Sequence, residues 1–493
     1  MRWQYLGQVF SIQDNVSSFY PDRYDPSRCS LAAFTPDGFV DPTLCDTLNG
    51  IVTQKSPGVN KSLRDPHYKD FEPRVGVAWS PLANHRLVVR VGGGIYHGRD
   101  AFSQNSATGQ LPPFNNFPSI NNVSFSSLAA FDPNTPQPPL FLNILDRNYP
   151  NPQSFQYSAG VQYEIMRNTG LEINYVGGRQ VHIGRNVDIN QVPASAQLGV
   201  ANFLNNTNPI TGDPCDPTIP ECIDPNTVRP FLGYGVINRN ERAATSRYNS
   251  LQVLFNRQMS HGLAFQAAYA YSRNIGNTSN QDSEARFRPT QDFFHPNNEK
   301  GVTDSDIPHS LVMNYVWELP FFHKSEGLKK AVLGGWQVNG IMTFRSGRPI
   351  NICLPNDNAG LGDGDVCERP DIVANPILDR SKRTIEEYFN VDAFATPALG
   401  TFGNGGRNPV RGPGINNWDL SIFKVTSIPW FGRHSNWNAA ESAKIEFRAE
   451  MFNVWNHTQF GNPGSTLGAE DFGVVTGVGV NPREIQFGLR LEF

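Results

Sequence analysis

The chain has 493 residues, a net charge of −4 at neutral pH, 39% hydrophobic and 17% charged residues, 44 Gly and 38 Pro. A near-neutral balance without a basic block excludes a nucleic-acid binder, and no stretch approaches the ~18 consecutive apolar residues of a transmembrane helix. Aromatics at 11%, with 33 Phe, 15 Tyr and 8 Trp, exclude wholesale disorder and leave a β-rich chain with long polar loops.

In chain order, alternation of apolar and polar residues with period two predicts about twelve strands. They span 3–12, 71–80, 86–97, 155–166, 170–178, 248–258, 262–273, 309–319, 335–346, 416–427, 444–456 and 484–493. Before the first, Met1-Arg2-Trp3 leads in with no charged n-region, apolar h-region or cleavage site, so no signal peptide is expected in this chain. The strands are about ten residues long, the length that crosses a bilayer at a ~45° tilt.

The connections alternate. Short turns are expected at 81–85, 166–170 and 258–262, with the intermediate linkers 320–334 and 428–443 in the same register. Long insertions are expected at 13–70, 98–154, 179–247, 274–308, 347–415 and 457–483. A soluble sandwich has no reason to keep every second connection long, whereas a membrane barrel does. The predicted fold is therefore all-β, an antiparallel transmembrane β-barrel forming one domain over 1–493. The six cysteines fall in the long loops as close pairs, Cys29 and Cys45, Cys215 and Cys222, Cys353 and Cys367. They read as three local disulfides of an oxidising compartment; zinc is disfavoured because no CxxC occurs.

Two faces follow from the alternation. In 444–451, Ile445, Phe447, Ala449 and Met451 oppose Lys444, Glu446, Arg448 and Glu450. The same logic over the other strands gives candidates for a wet lumen: Arg74, Arg90, Glu164, Glu172, Asn314, Glu318, Arg345, Asp419, Glu446, Arg448, Glu450 and Arg490. Aromatics gather at strand ends, Trp79, Tyr163, Trp317 and Trp336 near the short turns and Tyr175, Tyr271, Phe344, Trp418 and Trp455 near the long loops. Such rings prefer the headgroup zone. The last strand ends as QFGLRLEF, with Gln486, Gly488, Leu491 and Phe493 in the polar-x-Gly-x-x-apolar-x-aromatic pattern of a barrel-assembly signal. An edge strand of this kind can be read by β-augmentation.

The segments FEPRVGVAWSPLANHRLVVRVGGGIYHGRDAF (71–102), PQSFQYSAGVQYEIMRNTGLEINYVGGRQVHIGRNVDINQ (152–191), RYNSLQVLFNRQMSHGLAFQAAYAYSRN (247–274), LGGWQVNGIMTFRSGRPINI (333–352), KIEFRAEMFNVWNHTQFGNP (444–463) and REIQFGLRLEF (483–493) carry a family resemblance. They resemble the carboxy-terminal half of TonB-dependent-receptor-like outer-membrane proteins of the Oar-like branch. Complete members carry a signal peptide, often a small carboxypeptidase-regulatory-like β-domain, a plug domain and a barrel of about 22 strands. The resemblance implies a location in the outer membrane of a Gram-negative bacterium and contact with its lipid and its barrel-assembly machinery. It also implies TonB as a partner where a plug-bearing amino-terminal part exists. No plug is recognisable in 1–493.

Enzyme and cofactor motifs are missing from the sequence. There is no HExxH, GxSxG or P-loop, and Gly92, Gly93, Gly94 and Gly98 lie in a strand rather than before a helix. NDNAGLGDGD (356–365) offers Asp357, Asp363 and Asp365 as weak calcium candidates without the EF-hand pattern. Asp304, Asp306 and His309 could be read as an acid–base group, and more simply as a polar strand entrance. The expectation is a non-enzymatic barrel without cofactor that binds and imports a large solute of unknown identity. The alternative is a plugless surface structural or adhesion barrel without active transport.

Overall fold

The computed structural model describes residues 2–36, 38–99, 109–115, 135–216, 219, 221–278, 290–322, 325, 327–364, 366–428 and 443–492. Eleven long strands form the sheet: β1 (Arg74–Trp79), β2 (Leu87–His97), β3 (Gln153–Met166), β4 (Thr169–Asp188), β5 (Tyr234–Ser260), β6 (Leu263–Gly276), β7 (His309–Glu318), β8 (Trp336–Arg345), β9 (Ile415–Ile428), β10 (Ala443–Phe452) and β11 (Glu484–Glu492). Each pairs antiparallel with the next in sequence, from β1 at one edge to β11 at the other. Two short strands, Leu140–Leu145 and Gly301–Val302, attach beside β5 and β6. β1 and β11 do not pair, so the sheet is open.

In such a meander, alternate connections lie at opposite ends. Residues 80–86, 167–168, 261–262 and 319–335 connect strands at one end. The 98–152, 189–233, 277–308, 346–414 and 453–483 connections lie at the other. The tightest turns show why the sequence permits them. Between β5 and β6, His261 and Gly262 both adopt positive φ, 52° and 76°, the twist a two-residue hairpin needs. Asn168, at φ 64°, serves the β3–β4 turn.

Three expectations are corrected. The strand over 3–12 does not form; only Arg2–Trp3 pairs, with Phe71–Glu72. Residues beyond Trp3 instead hold the 65–72 segment through side chains, with Tyr5 stacked on Tyr68 and Gln8 bonded to the Asp65 carbonyl. That neighbour contains Pro66, which cannot donate to a ladder. The loop expected over 179–247 is shorter, because β4 and β5 run on to Asp188 and back from Tyr234. Register shifts between Glu241, Ala244 and Ser246 break the alternation that would have revealed this. Finally, β10 ends at Phe452, where Asn453 turns to φ 50°.

The packed core lies outside the sheet's main span. Phe19, Leu142, Ile144, Val187, Tyr234 and Ile237 are buried together where the extended ends of β4 and β5 meet the amino-terminal segment. A second cluster, with Ile350, Ile352, Phe389, Phe394 and Val410, lies within the 346–414 connection. Both belong to the long-loop end. Over the main span many apolar side chains stay exposed on the sheet: Val75 is 74% exposed, Ile173 44% and, on edge strand β11, Leu489 75%.

Candidate functional site

The register determines which side chains share a face. On β10 and β11, Ile445 faces Leu491, Phe447 faces Leu489 and Ala449 faces Phe487, while Glu446 faces Arg490 and Glu450 faces Gln486. Carried from strand to strand, the pairing puts all twelve polar candidates, from Arg74 on β1 to Arg490 on β11, on one face. The opposite face carries Val75, Val77, Val161, Ile173, Leu251, Phe447 and Leu489. It also carries Trp79, Tyr163, Trp317 and Trp336 towards the short turns, and Tyr175, Tyr271, Phe344 and Trp418 towards the long loops. Trp455 packs edge-on against Trp418, with ring centres 5.4 Å apart.

Small residues sit under the rings of this apolar face. The Tyr157 ring covers Gly177, where a Cβ would lie 2.1 Å from it, and Tyr315 covers Gly340 in the same way at 2.5 Å. The Tyr157 and Tyr175 hydroxyls both donate to Asn249 Oδ1, at 3.2 and 2.7 Å, so the polar tips are satisfied beside the long loops. Lys424 is an exception to the alternation. It lies on the apolar face near the short-turn end, bonds to the Gly334 carbonyl and rests over the Trp336 ring, a stem lying on apolar surface with its charge at the rim. The converse exceptions, apolar residues on the polar face, include Val88, Leu254, Val312, Val316, Ile341, Phe423 and Val425.

The twelve polar candidates share a face without forming one cluster. Glu446 pairs with Arg448 and faces Arg490, which pairs with Glu492 at 2.9 Å, and Glu450 accepts from Gln486 at 2.6 Å. Asn314 donates to Gln266, and Asp419 accepts from Asn417 and the Asn453 amide. Arg74 pairs with Glu72 and lies over the Tyr96 ring. Arg90, Glu164, Glu172, Glu318 and Arg345 lie along the rest of the sheet. Gln486, Gly488 and Leu491 of the terminal signal lie on edge strand β11; Phe493 is outside the described residues.

At the long-loop end the cysteines are paired as Cys29–Cys45, Cys215–Cys222 and Cys353–Cys367. Gly233, at φ 90°, passes so close to the first pair that a Cβ there would meet Cys45 Sγ at 2.6 Å. A network of buried charges, which the sequence patterns did not reveal, ties the loops together. Glu299 receives Arg369 at 3.0 and 3.1 Å and Arg407 at 2.7 Å, joining the 277–308 and 346–414 connections. Burial alone would raise the Glu299 carboxyl, but the two guanidinium groups and the Gln291 amide outweigh it and hold it below its ordinary value. Arg229 bonds Asp188 at 3.2 Å and the Gly362 carbonyl at 2.7 Å, joining the 189–233 connection to the same layer. Burial pushes the Asp188 carboxyl up despite that partner.

The suggested acid–base group is not assembled. Asp306 is bound to Arg411, Asp304 accepts from Asn408, and His309 lies on the apolar face against Tyr269. In the calcium candidate, Asp357 turns its oxygens to the amides of Leu361, Gly362 and Asp363, and Asp365 is outside the described residues. Among the described residues no group of three or more His, Cys, Asp or Glu is placed to hold a metal.

A family model described as "Outer membrane beta barrel domain" matches residues 1–486. No curated protein matches the chain. Among solved structures, the outer membrane transporter YddB from Escherichia coli aligns with 85% of this chain and 40% of its own, at 10% identity and a TM-score of 0.41. BauA, the ferric preacinetobactin receptor from Acinetobacter baumannii, aligns with 89% and 38%, at 9% identity and a TM-score of 0.39. The FrpB iron transporter from Neisseria meningitidis aligns with 85% and 38%, at 9% identity and 0.36. The chain thus spans about 40% of the length of these structures.

Proposed function

We propose a function from one premise: the chain belongs to the outer membrane beta barrel domain family, and its place is the outer membrane of a Gram-negative bacterium. In our reading the face bearing Val161, Ile173 and Leu489 meets lipid, and the face bearing Arg90, Glu172, Glu446 and Arg448 lines a wet passage. The short turns then lie in the periplasm and the long loops outside. The observation that carries this is the register itself, which puts the twelve polar candidates of all these strands on the face opposite two aromatic bands. The activity we propose is the binding and import of a large solute, of TonB-dependent-receptor type and Oar-like branch, without enzymatic chemistry. Captured at the loop layer, the solute would pass a lumen whose charges of both signs hold water and bind ions only weakly.

In this proposal the open sheet of eleven strands is one part of a wall of about 22. β11, paired on one side only, would present Gln486, Gly488 and Leu491 to the assembly machinery. The ordered, disulfide-linked loop layer favours a second reading, a surface structural or adhesion barrel.

Single cysteines at Val161 and Leu489, and at Glu172 and Arg448, test the faces. Fluorophores on the first pair should be quenched by brominated lipid and those on the second by aqueous iodide; the reverse pattern would overturn the assignment. Solute accumulation abolished by dissipating the proton-motive force separates import from the adhesion reading, which predicts none.

A further inference from the structure

A cavity of about 1310 Å³ lies where the 346–414 connection overhangs the outer ends of β6–β9. Its floor is formed by Tyr269, His309, Leu311 and Phe344, all on the apolar face by register. Its overhang brings Ile377, Leu378 and Tyr388 opposite them. Five arginines line it, Arg273, Arg345, Arg380, Arg383 and Arg411, with two histidines and no Asp or Glu. Arg411 is held by Asp306, while the other four make no ion pair among the described residues. The Arg383 guanidinium lies over the Tyr388 ring, 5.4 Å from its centre, and donates to the Leu378 carbonyl, which aims it from the overhang.

This combination narrows the occupant. Arg345 belongs by register to the opposite, polar face; the other three unpaired guanidinium groups, Arg273, Arg380 and Arg383, attract a doubly charged oxyanion such as a phosphate, which they bind with paired, directed donors. A soluble anion has no use for a floor of Leu311 and Phe344 that continues into the lipid-facing stripe. A neutral lipid has no use for the arginines. The height, at the aromatic band beside the outer loops, is that of the headgroups of the outer leaflet.

We propose that this cleft binds a phosphorylated, acylated glycolipid of the outer leaflet, with its phosphates among Arg273, Arg380 and Arg383 and its acyl chains against Leu311 and Phe344. The proposal rests on the lipid-facing assignment of that side of the sheet and is independent of any transported solute. A bound glycolipid would fix the overhang to the membrane surface.

The test is binding of a fluorescent bisphosphorylated lipid A to the full chain in neutral detergent, with three competitors: the same lipid without phosphates, its deacylated sugar bisphosphate, and inorganic phosphate. The intact lipid should bind, and its dephosphorylated form should compete at least about tenfold more weakly. Arg380→Glu/Arg383→Glu should weaken binding by a similar factor, while Arg380→Lys/Arg383→Lys should retain most of it. Equal competition by the dephosphorylated lipid, displacement by the deacylated bisphosphate or by phosphate at matched concentration, or indifference to the charge reversal would each overturn the proposal. Lipid quenching at Val161 and Leu489, measured on the same preparations, separates its failure from that of the face assignment. Unchanged heat-dependent gel mobility shows that the variants fold.

Discussion

Replacing Glu299 with Gln should loosen the loop layer while leaving the sheet in place. Glu299 is 1% exposed and is shared by Arg369 and Arg407, themselves buried. The isosteric amide keeps one acceptor but removes the anion, leaving two buried guanidinium groups with only Asp304 near Arg407 to offset them. Breaking a buried ion pair by removing one partner typically costs about 3–5 kcal/mol, which is roughly a 140- to 4,000-fold rise in the open population of the layer. Native-state proteolysis reads that population directly when opening is fast relative to cleavage. Cleavage within 277–308 and 346–414 should accelerate accordingly, with unchanged heat-dependent gel mobility of the barrel. Acid should mimic the variant. The carboxyl is held below its unfolded value, so its contribution is present above the unfolded pKa and is lost as pH falls through the lower, folded one. Replacing all three residues by apolar ones of similar volume should restore most of the resistance. Cleavage rates of Glu299→Gln within twofold of the parent, at neutral pH, would refute the reasoning.

Three further outcomes are expected. Ile173→Arg, on the apolar face at mid-strand, should reduce the yield of heat-modifiable protein by a cost of about 2–4 kcal/mol, while Glu172→Arg next to it should not; equal yields would contradict the faces. Gly233→Ala forces a side chain at φ 90° against Cys45 Sγ and should cost about 1–3 kcal/mol, read as a lower melting temperature of the loop layer and as free thiol at Cys29 or Cys45. Glu368 is pushed up to about 9 by burial and by its hydrogen bond with Asp357. The folded layer therefore keeps a proton that the unfolded chain releases above about 4.5, and stability should fall as pH rises from there towards 9. Glu368→Gln should flatten that slope in proteolysis at pH 5 and pH 8; an unchanged slope would assign it to another group.

The sheet was legible because its strands lie between two unlike environments. Where one face is apolar and the other wet, period-two alternation persists for the whole crossing, and β3, β6, β10 and β11 could be read residue by residue. The aromatic bands were legible for the same reason. The lumen candidates were legible as a face but not as a cluster, since alternation gives direction and says nothing about which charges meet. The ends of β4 and β5 were not legible, because above the crossing both faces pack into loops and bulges near Ala244 reset the phase. The Glu299 network was invisible in principle: its partners stand 70 and 108 residues away in stretches that read as turns. The cleft over Leu311 and Phe344 was missed likewise, because Arg380 and Arg383 come from an overhang that no periodicity marks.

The same division has an energetic consequence. The crossing part of the sheet has no packed interior of its own over its main span, since many of its apolar side chains are exposed and its polar face holds charges. On the proposed face assignment, its stability comes from the ladder hydrogen bonds, which lipid cannot replace, and from burial of Val161, Ile173 and Leu489 by the bilayer. The loop layer is the reverse: it buries Phe19, Tyr234 and Ile237 in water-excluding clusters, closes three disulfides and pairs its inner charges. The two parts share a chain but draw on different solvents, so detergent should act on the first, and reductant or acid on the second. Among the described residues, β4 and β5 are the strands that run on from the sheet into the loop layer. Distortion of the loop layer should therefore reach the lumen through that hairpin before any other.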